Sequence, residues 1–493
     1  MKINHRYPHS AALFLLLAAF FVSFHPPTWA TRAAEPPPRS ELLVGFRATP
    51  DPSVTSFQPL LSDSSGNYSL GFLRVDTNRL SLSIIHVPSS VQLWSANPTR
   101  PARWTGSAQL MFNGSLVLSD PNSRVFWSTH TSGASVWLSN ASNLIVSGAG
   151  DSPLWQSFDF PSDTLVENQN FTTTMALTSS NGLYSLRLGL DYWALYANFA
   201  NSDSDPGQIY LKHGALEAKA EVIPDRPTQL ILKSGGFLGM YQNGSVPVDV
   251  QPLNSFQQNV SGTRRLRLEP DGNLKVYYWT GSDWVLDYQA ILEPCELPSA
   301  CGAYGLCRSG GECSCVSNRT IHGSGVCKPV PDRVSGDFCG VGVNRFVVLR
   351  RTGVELPFKE LMGYEKMPSL EKCERACEGN CTCWGAVYSN SSGFCYMLDF
   401  PVQTLVAVGD ETKVGYFKVW VGARRRRVDS WLGMGLGLLG GVVLVLGVVL
   451  GLSWNKLRSR GVKRYVEEES VVGIGPYKDL SAASFRTIEL CEK

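Results

Sequence analysis

Thiols are the densest source of chemistry in this sequence. Twelve of its 13 cysteines fall between Cys295 and Cys395, and the last, Cys491, stands near the C-terminus. Such a cluster can cross-link as disulfides or hold zinc. No histidine pair accompanies it, and His322 stands alone there, so disulfides are expected and no metal or other cofactor is. Acid, base or nucleophilic catalysis finds little support, because His86, His130, His213 and His322 are widely separated and no Gly-x-Ser-x-Gly elbow occurs. Gly473-x-Gly475 lacks a third glycine, and no Val-Ala-Ile-Lys, His-Arg-Asp or Asp-Phe-Gly follows, so the chain reads as a non-enzyme. One polar constellation remains. Glu269, Asp271, Asn273 and Tyr277, around Asp271-Gly272-Asn273, suit a hydroxylated ligand, and Asp-Gly-Asn is also ordinary turn chemistry between two strands.

Paired cysteines need an oxidising compartment, and the elements around them provide one. Lys2, His5 and Arg6 precede an apolar run from Ala11 to Phe24, and small residues end at Ala30, so residues 1–30 read as a cleaved signal peptide. Residues 431–454 carry no charge and have Trp431 and Trp454 at their ends, the pattern of a transmembrane helix, with 455–493 as a cytoplasmic tail. Arg424, Arg425, Arg426 and Arg427 before the span nearly balance Lys456, Arg458, Arg460, Lys463 and Arg464 after it, so flanking charge alone does not orient it. Nine Asn-x-Ser/Thr acceptors do: Asn67, Asn113, Asn140, Asn170, Asn243, Asn259, Asn318, Asn380 and Asn390 all precede the span. The expected product is a glycosylated single-pass type I protein of the plasma membrane, N-terminus outside. Gly433-x-x-x-Gly437-x-x-x-Gly441 has the spacing of a helix dimer contact, or is simply glycine in a membrane helix. The four arginines read as headgroup contacts or as an exposed processing site. Lys plus Arg at 44 against Asp plus Glu at 42 argues against a nucleic-acid partner.

From about Glu41 to Leu292 short apolar runs alternate with Gly, Asn, Asp and Pro turns, which predicts an all-β sandwich, barrel or prism. Gln92-Leu93-Trp94-Ser95-Ala96-Asn97, Asn113-Gly114-Ser115-Leu116-Val117-Leu118, Val125-Phe126-Trp127-Ser128-Thr129 and Leu154-Trp155-Gln156-Ser157-Phe158-Asp159-Phe160-Pro161-Ser162-Asp163-Thr164-Leu165 resemble, in order, the bulb-type lectin domain of plant S-domain (G-type lectin) receptors. Arg265 to Tyr277, Trp284 and then Cys295 resemble the S-locus glycoprotein region of the same family. The resemblance implies a mainly β chain: tandem bulb-lectin-like β-prisms over 41–165 and 166–292, an EGF-like module over 293–330, an α+β PAN or apple module over 339–422, and one transmembrane helix. Mannose-binding members carry Gln-x-Asp-x-Asn-x-Val-x-Tyr. The aligned copies here read Met111, Asn113, Ser115, Val117, Ser119, then Ser139, Ala141, Asn143, Ile145, Ser147, then Glu269, Asp271, Asn273, Lys275, Tyr277. Only the third keeps most polar positions, which makes Asp271, Asn273 and Tyr277 the candidates for sugar binding.

The cysteines divide into two sixes, each open to 15 pairings by sequence alone. In the second, Ser369 to Glu378 reads as a helix ended by Gly379 that sets Cys373 and Cys377 on one face, and Cys381 and Cys383 share a face of a following strand. The EGF resemblance implies Cys295 with Cys307, Cys301 with Cys313 and Cys315 with Cys327. The PAN resemblance implies Cys373 with Cys395, Cys377 with Cys383 and Cys339 with Cys381, which leaves Cys491 unpaired. The expected function is that of a receptor-like glycoprotein without its own kinase, which binds a carbohydrate or protein ligand and signals through a partner kinase. The alternative is a structural or decoy protein that modulates other S-domain receptors. The lectin region should outlast the stapled region in reducing agent. In limited proteolysis under dithiothreitol the first cuts should fall within 295–395, and early cuts confined to residues before Cys295 would refute the module assignment.

Overall fold

The computed structural model describes residues 39–420 and 430–458, except 99–100, 106–107, 121–123, 200–206, 216–222, 224–225, 243, 259, 317–320, 324–325, 329–337 and 340–345. For 321–323, 326–328, 420, 430–440 and 457–458 it describes the backbone alone. The expected signal peptide, the four arginines, Gly473-x-Gly475 and Cys491 lie outside the described residues. Two compact units divide at Gly422.

Alternation builds the first unit. In Arg79–His86 the side chains of Leu80, Leu82 and Ile84 are fully buried on one face, and Ser81 and Ser83 take the other. The same pattern recurs in three antiparallel sheets that form a first prism. One sheet holds Phe57–Ser62, Tyr68–Arg74, Arg79–His86 and Val91–Ser95; the next, Arg47–Ala48, Gln109–Phe112, Leu116–Ser119 and Val125–Ser128; the third, Glu41–Leu43, Ser135–Leu138, Leu144–Ser147 and Pro153–Gln156. The last strand of each sheet contributes one indole. Trp94, Trp127 and Trp155 meet edge to face with centroids 5.8, 6.0 and 5.6 Å apart. Beside each indole a side-chain oxygen takes a backbone N–H of the adjacent strand: Leu116 N–H donates to Thr129 Oγ1 at 2.9 Å and Leu144 N–H to Ser157 Oγ at 2.9 Å. In the first sheet Ala96 occupies that place, and Asn97 Oδ1 accepts from Leu82 N at 3.1 Å instead.

A second prism repeats the plan. The boundary expected at 165/166 falls inside Thr164–Val166, the edge strand of a sheet that continues through Arg264–Leu268, Leu274–Trp279 and Trp284–Gln289. Its other sheets are Asn170–Thr172, Gln229–Lys233, Phe237–Tyr241, Asp249–Pro252 and Leu177–Thr178, Tyr184–Leu188, Tyr192–Ala197, Gln208–Gly214. Backbone bonds Ala290 N to Leu274 O, Leu253 N to Gly236 O and Ala215 N to Asp191 O match Ala96 N to Leu82 O. Two residues earlier, where the first prism has indoles, stand Tyr288, Gln251 and His213. This prism depends instead on a buried ion network. Arg264 lies 3.6 Å from Asp287 and donates to Ser234 O at 2.7 Å and Ser255 Oγ at 3.1 Å, while Asp287 accepts from Ser255 N at 2.8 Å and Ser255 Oγ at 2.6 Å.

Beyond the prisms, Gly305–Arg308 and Glu312–Cys315 form a hairpin whose first strand runs parallel to Leu405–Ala407, so the first cysteine module shares a sheet with the second. Disulfides join Cys295 to Cys307 and Cys301 to Cys313. Cys315 is also disulfide-bonded, and Cys327, its expected partner, lies among residues described by backbone alone. In the second module the helix α1, Leu370–Gly379, packs on a sheet that includes Phe346–Thr352, Gly385–Ser389, Phe394–Leu398 and Lys413–Trp420. Cys373 bonds Cys395, Cys377 bonds Cys383 and Cys339 bonds Cys381. One expectation is corrected: Cys381 and Cys383 sit in the loop after α1, and the strand begins only at Gly385, because the Cys377–Cys383 bond holds that loop against the helix end. The α1 C-terminus is capped by the buried Lys418, whose Nζ donates to Cys377 O at 2.8 Å and Asn380 O at 3.0 Å. Burial pushes the Lys418 ammonium below its usual range. A single hydrophobic core runs from Leu186 and Leu266 of the second prism through Tyr304 and Leu306 to Trp384 and Phe417.

The second unit contains α2, Ser430–Arg458. Among the described residues no helix is long and apolar enough to cross a membrane. Gly433 and Gly437 fall in the part of α2 described by backbone alone, and a Cβ on Gly441 would meet nothing within 4 Å.

The joint between the prisms is aromatic. His86, 3 % exposed, packs edge-on against Trp279 at 5.0 Å and Trp284 at 5.4 Å, its Nδ1 lies 2.8 Å from Ser89 Oγ, and Trp284 Nε1 donates to that hydroxyl at 2.9 Å. Burial holds the His86 imidazole below its usual range, and the charge of Arg265 pushes it the same way. A lowered folded pKa means that protonation opposes folding, so the joint is at full strength above the unfolded value of about 6.5 and weakens as pH falls through the lower folded value. Melting temperature should therefore drop between pH 7 and pH 5, with a shallower slope in His86→Phe. Identical slopes would show that the joint does not titrate.

Candidate functional site

Asp271 and Asn273 lie in the turn of the hairpin formed by Arg264–Leu268 and Leu274–Trp279, and Tyr277 stands in its second strand opposite Arg265. Gly272, at φ +88°, makes the turn, and Asp271 Oδ1 accepts from Asn273 N at 2.8 Å. Asn273 is buried, with Nδ2 donating to Ile291 O at 2.7 Å and Oδ1 accepting from Ile291 N at 3.0 Å, so its amide ties the hairpin to the chain leaving the prism. Tyr277 OH donates to Glu269 Oε1 at 2.9 Å. Burial, aided by that bond and the Glu269 charge, pushes the phenol up to about 12. Arg265 lies over the Tyr277 ring at 4.7 Å and the Trp284 ring at 4.9 Å, which ties this face to the joint. The structure thus brings Asp271, Asn273 and Tyr277 onto one hairpin, with their polar groups already engaged within the chain.

The first two copies are occupied likewise. Ser115 Oγ lies 2.9 Å from Ser128 Oγ. Asn143, also buried, donates to Gln156 Oε1 at 2.9 Å and accepts from Ser157 Oγ and Phe158 N, each at 3.2 Å. Trp137 Nε1 donates to Ser147 Oγ at 2.9 Å and so spends the last polar position of the second copy. The sequence counts Trp137 among the rings of the core; the structure turns it outward, because it alternates with the buried Val136 and Leu138.

The remaining chemistry stays scattered. His86 sits in the joint, His130 is exposed, and His213 Nε2 lies 2.7 Å from Asp249 Oδ2 with its ring stacked on Trp193 at 5.2 Å. The His322 side chain lies outside those described. Among the described residues no group of three His, Cys, Asp or Glu is placed to hold a metal. Asn67, Asn113, Asn140, Asn170, Asn380 and Asn390 are exposed, as glycan acceptors must be, and Asn243, Asn259 and Asn318 lie outside the described residues. A cavity of about 490 Å³ is lined by Phe57, Pro59, Ile85, Ser62, Ser65 and Ser69.

Comparison with known proteins finds three family matches: D-mannose binding lectin over residues 91–187, S-locus glycoprotein domain over 244–319 and PAN domain over 353–418. A PAN domain-containing protein of Arabidopsis thaliana is 47 % identical over 481 residues, covering 97 % of each chain. Two G-type lectin S-receptor-like serine/threonine-protein kinases of the same plant are each 28 % identical, over 450 and 393 residues, covering 83 % and 68 % of this chain but 49 % and 44 % of their own. The chain therefore spans about half the length of those kinases or less.

With the motif polar groups engaged internally, free mannose should bind weakly or not at all, and Asn273→Ala should cost about 1–3 kcal/mol of stability by stranding the Ile291 amide. Calorimetry and thermal melts test both. Micromolar mannose binding lost in Asn113→Ala or Asn143→Ala, or an Asn273→Ala melt equal to the parent's, would contradict this reading.

Proposed function

We propose, from the premise that this chain belongs to the plant S-domain (G-type lectin) receptor-like family as a PAN domain-containing protein, that it is a cell-surface glycoprotein that binds a carbohydrate or protein ligand and signals through a partner kinase. The observation that carries this reading is the single core joining the second prism to both cysteine modules, because a ligand held on the lectin part then bears on the PAN part without a flexible linker. The lectin and PAN domains fit binding rather than catalysis, and the receptor kinases among its relatives suggest the plasma membrane. In this proposal residues 431–454 span the bilayer once, the N-terminus is outside, the first cysteine module is EGF-like, and Gly433, Gly437 and Gly441 pair two spans.

One observation favours the second reading, a structural or decoy protein without its own ligand. All three motif copies spend polar positions on internal hydrogen bonds, at Ser115, Asn143 and Asn273. Full-length protein in lipid nanodiscs, screened on a glycan array and purified from plant membranes with its partners, separates the two. Glycan binding together with a co-purified kinase supports the receptor. Co-purified S-domain receptors with no glycan or peptide ligand would establish the decoy and overturn it.

A further inference from the structure

A cleft of about 260 Å³ opens between the two prisms, and its wall residue Asp163 pairs with Arg267, which lies 3.8 Å from Glu269 of the third motif copy. Its first wall is the outward side of Arg79–His86 and Val91–Ser95, with Arg79, Ser81, Gln92 and Ser95; its second is Asp163, Thr178 and Ser180 of the other prism. Neither prism alone makes it.

The first wall is an ordered line of hydrogen-bonding groups. Gln92 Nε2 donates to Ser83 Oγ at 2.9 Å, Ser83 Oγ donates to Ser81 Oγ at 2.9 Å, and Ser81 Oγ lies 2.7 Å from Ser95 Oγ. Ser81, Ser83 and Ser95 are buried, so their hydroxyls are held in place rather than rotating in solvent. The cleft's charges are balanced at its edges, Arg79 by Asp76 and Asp163 by Arg267 at 3.2 Å. Val75, Pro98 and Pro101 add apolar surface. Hydroxyls at Thr178 and Ser180 and the Gln92 amide beside the apolar carbon of Val75, Pro98 and Pro101, with the described charges paired, match a pyranose ring, which presents hydroxyls at its edge and C–H groups on its face. Among the described residues that line it, an acidic sugar would find no cation without a carboxylate partner, since Arg79 pairs with Asp76. The size suits one or two rings.

We propose that this inter-prism cleft is the site for the terminal one or two units of a neutral oligosaccharide. The proposal rests on the carbohydrate reading above and gives it a place. Because the cleft has a wall on each prism, an occupant also bridges them.

The test uses the full-length protein in nanodiscs on an array of neutral and uronate-bearing oligosaccharides, with three variants whose melting temperatures are checked against the parent. Ser180→Trp, at the exposed rim, should abolish neutral-glycan binding by filling the cleft. Thr178→Val should weaken it about three- to tenfold through one lost hydrogen bond. Trp137→Ala, on another face, should leave it unchanged. A parent that binds neutral glycans while Ser180→Trp and Thr178→Val bind within about twofold of it overturns the cleft and spares the carbohydrate reading. A parent that binds only uronates overturns the neutral-ligand assignment. A parent that binds no glycan removes the carbohydrate reading and this site with it.

Discussion

Three sheets must meet on one axis in the first prism without a covalent staple, since no cysteine precedes Cys295. The Trp94, Trp127 and Trp155 contact satisfies that constraint. Each indole is large enough to reach its two counterparts, and mutual edge-to-face packing fixes their angles as well as their distances. Large rings near an axis would wedge the strands apart if the adjacent backbone were left unpaired. The side-chain acceptors Asn97, Thr129 and Ser157 close that gap, one per sheet.

The second prism meets the same constraint differently. With Tyr288, Gln251 and His213 in place of indoles it cannot build the aromatic contact, and Arg264 with Asp287 fills its interior instead. A buried ion pair is weak evidence of net stability, since desolvation offsets most of its attraction. What it adds here is direction: Asp287 accepts from both Ser255 groups, which pins the turn after Asp249–Pro252 to Trp284–Gln289. Stability comes from elsewhere, through apolar continuity with Tyr304, Leu306 and Phe338, so this prism borrows its core from the cysteine modules.

Much of this was legible in the sequence where the signal is local. Period-two alternation placed Leu80, Leu82 and Ile84 inward, and helical spacing set Cys373 and Cys377 on one face. The disulfide partners came from family resemblance, because pairing is nonlocal and spacing alone leaves 15 choices per six. Three features escaped for the same reason. The shared sheet of Gly305–Arg308 with Leu405–Ala407 joins strands about a hundred residues apart, and a chain read as separate modules gives no hint of it. The loop position of Cys381 and Cys383 follows from a bond to the preceding helix, which overrides strand patterning. Asn273 reads as a ligand residue, yet it bonds to Ile291, which only the closed sheet brings near.

Arg79–His86 runs between two of the places where the prisms touch. At one end Ser81 faces the cleft, and at the other His86 fits against Trp279 and Trp284. The strand is buried along both faces from Leu80 to His86, so it shifts as a body and not residue by residue. A ligand that drew Thr178 toward Ser81 would therefore load the aromatic joint, and a charged His86 beside Arg265 would strain the joint and, through the strand, the cleft. If the cleft binds as proposed, occupancy and prism geometry are linked through the position of one strand. The second prism shares its core with the PAN module, so a tilt at this strand has a rigid path to follow.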